Sequence, residues 1–525
     1  MRLAPQPFTI LLLAPFHPVP EADYAPRPVL ADLSNLDDVL ASMKPRLSVD
    51  APKDLCPQGA LELEFSSMRQ FRPQHIVTSC SYLQQLHEAL AYARKARQEG
   101  TPAASAASAI KQQWPGLPLD MAVDQGPAQD GQTSSAVDDI LAMVAAPAAS
   151  GSSGAGLKAW ISQIEGILSR LMAVVYADEA YRMLEAAWRG LETILKQGPV
   201  KEGPPAEGGY VQVKIASVSR AVLAEGLNRL KEDLAMETPH LVLIDCPLDN
   251  TQPSIDLAGE IAEFADTLLT PTAFWLTARF LHIDDFTGLS KVQYLTHHME
   301  DPAYAKWANL KKHPGAARMV AMINRFAVRP PYGPENNPKT PMFRETEPLW
   351  LAPVYALGAL TAQSAVEHGW PTRFSDYMKH QVKNLACGNF NGLGDIATET
   401  PLDEGRIGEF TDIGITPLVG ALKKDIAIIP KETVLDGSSL KFQLFFSRLI
   451  SFLIWLRDNL PGDVGPAQGV QGALSLFFQQ TTGDAPQDIE VTAGPEENGL
   501  VPLNIALTPP RSILHAQRLQ FGFAW

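Results

Sequence analysis

The chain has 525 residues, 46% apolar and 19% charged, with 43 Lys and Arg against 58 Asp and Glu and a formal net charge of -15 at pH 7. That length exceeds what one hydrophobic core organises, so two or three globular domains are expected. The acidic balance excludes a protein that coats nucleic acid, which needs clustered lysine and arginine. Four cysteines (Cys56, Cys80, Cys246, Cys387) stand far apart with no CxxC, so neither a zinc cage nor a disulfide framework is expected, and a cytoplasmic, reducing setting fits them.

At the start, "FTILLLAPF" is a short apolar run closed by Pro15, Pro18 and Pro20. No A-x-A cleavage pattern follows, so a buried strand at Thr9–Ala14 is the better reading than a signal segment. No window reaches the roughly 18 apolar residues of a membrane helix, and a soluble protein is expected. A helix at Leu36–Met43 follows, with Ser34 or Asn35 as its cap. In "GALELEFSSM" the residues Leu61, Leu63 and Phe65 alternate with Glu62 and Glu64, the pattern of a half-exposed strand. "SYLQQLHEALAYARKARQ" then reads as an amphipathic helix with a cationic last turn. Residues 1–97 form the first expected unit.

Residues 98–155 are Ala/Ser/Gly/Pro-rich and read as a flexible linker. It holds one island, "SSAVDDILAMV", near 134–144. Val137, Ile140, Leu141 and Val144 share one face of a short helix there, too short to be stable alone.

The large unit, 156–525, opens with helices over about 158–197. Within them "YRMLEAAWRGLETILKQ" repeats apolar residues at helical spacing, Trp188 among them. A strand at "YVQVKIASVS" follows, then a helix at about 220–235 and a buried strand "HLVLIDCPLD". Next come a helix at about 255–268 and a strand "PTAFWLTAR". This alternation predicts an α/β fold with a three-layer sheet. Further along are a helix at about 349–368, strands near 384–390 and 425–429, and the helix "SLKFQLFFSRLISFLIWLRDNL". Two strands, "LVPLNIALTP" and "SILHAQRLQFGFAW", close the chain and are expected to pair antiparallel.

No stretch assembles a nucleophile, a base and an orienting group. His297, His298 and Glu300 lack the HExxH or HxxEH spacing of a metal site and read as a surface or interface pair. "GNFNGLGD" (Gly388–Asp395) lacks the GK[ST] of a phosphate loop and reads as a turn. Asp245 and Cys246 end a predicted strand, where α/β enzymes keep their chemistry, yet no histidine is evident to activate the thiol. No catalytic, cofactor-binding or metal residue is assigned. "RPPYGPENNP" (Arg329–Pro338) is a rigid extended turn suited to a fixed contact or a buried crossing.

Several stretches together resemble the large contractile-sheath subunit of bacterial type VI secretion systems. They are "AWRGL", "VQVKIASVSRAVLAEGL", "MINRFAVRPPYGPENNP", "EPLWLAPVYALGALTAQSAVEHGW" and "GITPLVGALKKDIAIIP", in the right order from about 155 to 525. The first unit resembles the small sheath subunit through "RPVLADLSNLDDVLASMKPRLSVDAP" and "ELEFSSMRQFRPQHIV". The chain is thus identified as a fusion of a small sheath-type domain to a large three-layer α/β sheath domain.

The resemblance implies a non-enzymatic structural protomer of a contractile injection system. It would assemble helically with copies of itself around an inner tube protein, driving its ejection, and engage baseplate components. It implies that Trp188, Arg189, Gly190 and Leu191 belong to the packed body. Gln517, Arg518, Leu519, Gln520, Phe521, Gly522 and Phe523 become candidates for an intersubunit strand. The helix with Val137, Ile140, Leu141 and Val144 becomes a candidate contact for a AAA+ disassembly ATPase, or else packs on its own protomer. The family's extended arm before the first strand is expected to be missing or much shortened, and linker to replace the small subunit's C-terminal helical extension. A non-polymerising adaptor at the baseplate or sheath end is the alternative; an α/β enzyme using Asp245 and Cys246 is the remoter one.

Overall fold

The structure is a computed structural model and describes residues 6–17, 26–119, 152–200, 209–235, 237–336, 342–460, 464–483, 486, 488–496, 500–515 and 517–525. The island at 134–144 lies outside the described residues. The described elements begin with β1 (Phe8–Ala14), β2 (Val29–Ala31), α1 (Leu36–Met43), β3 (Arg46–Asp50), β4 (Ala60–Glu64), α2 (Ser81–Gln98) and α3 (Ala103–Gln113). They continue with α4 (Ser152–Ala177), α5 (Glu179–Gln197), β5 (Val211–Ser217), α6 (Leu223–Leu234), β6 (Leu241–Leu248), α7 (Gln252–Leu268) and β7 (Thr272–Leu276). Next are α8 (Leu295–His298), α9 (Ala305–Leu310), β8 (Met319–Ile323), β9 (Phe326–Arg329), β10 (Leu349–Leu351), α10 (Pro353–His368) and α11 (Glu404–Asp412). The last are β11 (Ile415–Pro417), β12 (Val419–Gly420), β13 (Ala427–Ile428), α12 (Leu440–Asn459), α13 (Pro466–Thr482), β14 (Glu490–Ala493), β15 (Pro502–Leu507) and β16 (Leu519–Ala524).

Two compact units result, and they do not follow chain order. The larger draws on Met1–Val39, Met183–Pro330 and Glu347–Trp525, the smaller on Leu40–Arg182 and Pro331–Thr346.

The larger unit is built on a seven-stranded sheet of order β11-β8-β7-β6-β1-β5-β2. All neighbours are parallel except β2, which runs antiparallel to β5. All seven residues of β1 are buried; it pairs with β5 along its whole length and with β6 over Ile10–Leu13. A strand enclosed on both edges and both faces is expected to be nearly all apolar, which explains the run "FTILLLA", with Thr9 its one polar side chain. This strand was expected to stay with residues 1–97; it lies at the centre of the other unit's sheet because that is where its two apolar faces find cover.

Leu11 and Leu13 share a core cluster with Leu223, Leu227 and Leu230 of α6 and Ile261 and Phe264 of α7. The opposite face takes α10 and the Met183–Gln197 part of α5. Gly358 of α10 lies so close that an added Cβ would come within 2.6 Å of Leu243 Cδ1 and 2.8 Å of Ile194 Cδ1. Helices on both faces give the three layers the alternating pattern foretold. The strand expected near 384–390 is reduced to isolated bridges, Val382 to Ala427 and Gly388 to Ile396.

The smaller unit carries the hairpin β3–β4 and the helices α2, α3 and α4. Phe65 stacks on Phe71 with ring centroids 4.6 Å apart, and the Tyr176 hydroxyl donates to the Phe71 carbonyl at 2.8 Å. Part of the expected linker is ordered here. Residues 103–113, "AASAASAIKQQ", form α3, with Ala103, Ala106, Ala107 and Ile110 buried and α4 as its neighbour. Alanine is the strongest helix former, and small side chains let helices approach closely, so a composition read as unstructured suits a packed helix.

Candidate assembly edge

Most unusual residues of the larger unit serve packing. On α5, Trp188 is fully buried and donates Nε1–H to the Phe16 carbonyl at 3.3 Å, its ring edge-on to Phe16 at 5.0 Å. Leu191 is also fully buried. Gly190 faces the Tyr355 ring of α10, where a Cβ would fall 2.3 Å from Cε1. Gly190→Ala is therefore expected to destabilise by about 1–3 kcal/mol, the usual range for overpacking, read as a drop in the denaturant midpoint at unchanged m-value. Arg189 sits 3.6 Å from Glu185 and 3.2 Å from Glu192. Glu185, fully buried, also receives Arg329 Nε at 3.2 Å and Nη2 at 2.9 Å. The segment Arg329–Pro338 is thus anchored at its first residue by an ion pair, while Pro330 and Pro334–Asn336 are exposed; Asn337 and Pro338 lie outside the described residues.

The residues tested for chemistry do not converge. Asp245 accepts from Trp275 Nε1 at 2.9 Å and from the Tyr355 hydroxyl at 2.6 Å, and burial raises its pKa. Burial pushes the Cys246 thiol up to about 12, far from a nucleophilic thiolate. His297 meets Glu300 at 2.9 Å while His298 meets the Tyr304 hydroxyl at 2.9 Å, so the adjacent histidines face different partners. In the Gly388–Asp395 turn, Asn389 Oδ1 accepts the Gly394 N–H at 3.0 Å.

A cleft of about 290 Å³ opens beside Thr9, Lys214, His240, Arg448, Ser451 and Trp455. Arg448 is 2% exposed, bonds the Gly369 carbonyl, and lies 4.8 Å over the Trp370 ring. His240 Nδ1 accepts the Thr9 N–H at 2.8 Å. Burial, with Arg448 nearby, lowers its pKa to about 3. Its folded-state value lies below the unfolded value of about 6.5, so the neutral ring contributes stability above pH 6.5 that is lost as pH falls toward 3. The expected slope is at most about 1.4 kcal/mol per pH unit. Urea titrations from pH 7 to 4 should show a His240→Gln chain losing stability less steeply than the parent.

The C-terminal strands form a separate three-stranded sheet of order β14-β15-β16, packed with α12 and α13. Phe452 and Phe477 stack at 4.1 Å between the two helices, and Trp370 stacks on Phe445 and Phe478. On β16 the residues Leu519, Phe521 and Phe523 are half-buried against this cluster, Phe521 at 5.5 Å from Phe446. Gln520, Gly522 and Ala524 are exposed. Gln517 and Arg518 precede the strand and are exposed; Arg518 reaches Asp488 at 3.2 Å and Glu490 at 2.5 Å.

Among the described residues, β16 has one neighbour in its sheet, β15, with Leu519 opposite Leu507 and Ala524 opposite Pro502. Trp525 and Val501 exchange both main-chain bonds at 3.0 Å. Antiparallel partners alternate between bonded and non-bonded pairs. Phe523, Phe521 and Leu519 therefore bond inward to β15, while Gln520, Gly522 and Ala524 direct their N–H and C=O groups outward. Sheet edges are usually blunted by lysine, proline or bulges. "LQFGFA" has none of these, and its register to β15 is unbroken.

Two family models match parts of the sequence. Residues 6–99 match the family "Type VI secretion system, VipA", and residues 237–434 match "VipB: tail sheath N-terminal domain". No curated protein matches the sequence. Among solved structures the chain is similar to a protein of the anti-feeding prophage baseplate, at 12% identity over 63% of this chain and 80% of that one, with a TM-score of 0.37. It is also similar to the sheath tail protein Lin1278 from Listeria innocua, at 11% identity over 58% and 60%, with a TM-score of 0.31. The two family matches, in one polypeptide and in this order, are consistent with a fusion of a VipA-like and a VipB-like region and support a structural protein of the contractile sheath.

Proposed function

We propose that this chain is a polymerising sheath protomer, which offers β16 to a neighbouring copy for strand addition and encloses an inner tube protein whose ejection the sheath drives. The observation that carries this reading is the outward row of main-chain groups on Gln520, Gly522 and Ala524, on an edge that nothing in its own sequence protects. Strand addition suits a sheath because main-chain bonds hold neighbours together while their bodies rotate. The N-terminal strand is no candidate for exchange, since β1 is bonded on both edges.

Baseplate components and a AAA+ disassembly ATPase complete the proposed partners. Val137, Ile140, Leu141 and Val144 remain the ATPase candidates on their sequence pattern alone. No described helix is long and apolar enough to cross a membrane, and a cytoplasmic site of assembly is proposed. A mechanical role without catalysis is also proposed; the burial of Asp245 and Cys246 supports it.

Negative-stain microscopy of the purified chain, alone and mixed with the tube protein, tests the reading. Helical tubes or stacked rings are expected. A single small oligomer of fixed stoichiometry in both samples would reassign the chain to a sheath-end adaptor, and monomers throughout would overturn the strand-addition reading.

A further inference from the structure

α10 ends in Glu367 and His368, and the chain returns to this end twelve residues after His368 with His380. The returning segment is tied down on both sides. Gln363 on α10 donates Nε2–H to the Gln381 carbonyl at 3.0 Å, and Val382 and Ala427 exchange main-chain bonds. Glu367, His368 and His380 each place a ligand atom within 4.8 Å of the others. His368 Nε2 lies 3.5 Å from Glu367 Oε1, and His380 Nδ1 lies 3.9 Å from Glu367 Oε2. The imidazoles meet edge to face with centroids 5.4 Å apart.

Two features of this cluster go unexplained by packing. The Nε2 atoms of both His368 and His380 are buried without a hydrogen-bond partner, although His380 is only 1% exposed. A buried polar nitrogen left unpaired costs about 1–3 kcal/mol, and two in contact are rare. The cluster also sits at the carboxyl end of a 16-residue helix, where the dipole favours positive charge. A cation bound there would supply that charge. Arg373 is itself held near Asp376 at 3.5 Å, which offsets its repulsion of a further cation.

We infer that Glu367, His368 and His380 bind one Zn²⁺ ion. Neutral imidazole nitrogens and a carboxylate form a His₂Glu donor set, with a fourth position for water or an outside donor. Zinc–ligand bonds of about 2.0–2.2 Å require the three groups to draw together from their present spacing. Glu367, half-exposed, has the freedom to close that distance. Bound zinc would satisfy the orphan Nε2 of His368 and, through His380, clip the 369–380 segment to the end of α10.

The test uses the full chain, stripped with chelator and titrated with ZnCl₂ alone. Calorimetry and elemental analysis are expected to give one Zn²⁺ per chain, with a rise in melting temperature. Glu367→Gln should weaken uptake by more than the roughly 10–100-fold that loss of an outer-sphere partner costs, and His380→Gln at least as much. Because Glu367 is half-exposed, its variant keeps the fold and decides the question even where His380→Gln does not fold. A His297→Ala chain, altered at an exposed histidine elsewhere, should bind as the parent does. Absence of Zn²⁺ binding by the parent, or equal binding by Glu367→Gln, overturns the assignment.

Discussion

A chain carrying Gly522→Pro is expected to fold and to fail in assembly. Gly522 directs its N–H away from β15, and an added Cβ there meets nothing within 4 Å. Proline therefore removes an outward donor while leaving the internal ladder intact, and its ring occupies the space an incoming strand needs. The lost bond is worth about 0.5–1.5 kcal/mol, and about 1.4 kcal/mol is tenfold in an association constant. With the added clash, the concentration needed for assembly should rise roughly tenfold or more, measured by sedimentation of the polymer. Circular dichroism and the melting temperature of the unassembled chain should stay close to the parent. Phe521→Pro is the opposite control: it removes a bond to β15 and should lower the stability of the chain itself. Equal assembly by Gly522→Pro and parent would show that β16 is not where copies join.

The second large effect is expected at Glu185. This fully buried carboxylate lies between Arg329, which approaches with two nitrogens, and Arg189 at 3.6 Å; the two arginine side chains are only 12% and 14% exposed. Glu185→Ala would take from the buried Arg329 guanidinium the carboxylate it grips with two nitrogens, while Arg189 would keep Glu192 at 3.2 Å. Breaking a buried pair from one side costs about 3–5 kcal/mol, much of it the penalty on the charge left behind. The urea midpoint should fall accordingly. Glu185→Gln, which keeps the volume and one acceptor, should fall nearly as far, because the missing charge and not the cavity dominates. A loss below about 1 kcal/mol in either variant would mean that Arg329 finds water, contrary to its burial.

These residues also show what a sequence can and cannot convey. Glu185 looks like any polar residue on an amphipathic helix, because its partner Arg329 is 144 positions away. The apolar stripe around Trp188, by contrast, was legible at once, since helical spacing repeats locally. The strand β16 was legible from its alternating aromatics, and its antiparallel pairing with β15 followed from the two adjacent strand patterns. Its orientation was not: which main-chain groups face outward depends on the bonded pair Val501–Trp525.

Helix α13 carries a weak sequence signal because Gly469 and Gly472 interrupt its apolar pattern, although Pro466 at its first turn is a start signal. Helix α3 is faint in the sequence for a different reason. Alanine and serine carry no hydrophobic signal, and close packing on α4 replaces it. The zinc candidate had no local signature either, as Glu367 and His368 meet His380 only after the chain folds back. The parallel placement of β1 between β5 and β6 was the least accessible feature, since parallel pairing leaves no turn motif to mark it.

That placement bears on how the chain is made. β1 emerges from the ribosome about 200 residues before Val211 and Leu241, its partners opposite Phe8 and Ile10. Until then a nearly all-apolar ribbon has neither edge covered, and such waiting segments invite mispairing. Separate genes would have to solve this by encounter between two polypeptides; joined in one chain, the waiting ribbon carries its own partners behind it. Nascent chains truncated before β6 should therefore depend on chaperones in a way that the finished protein does not.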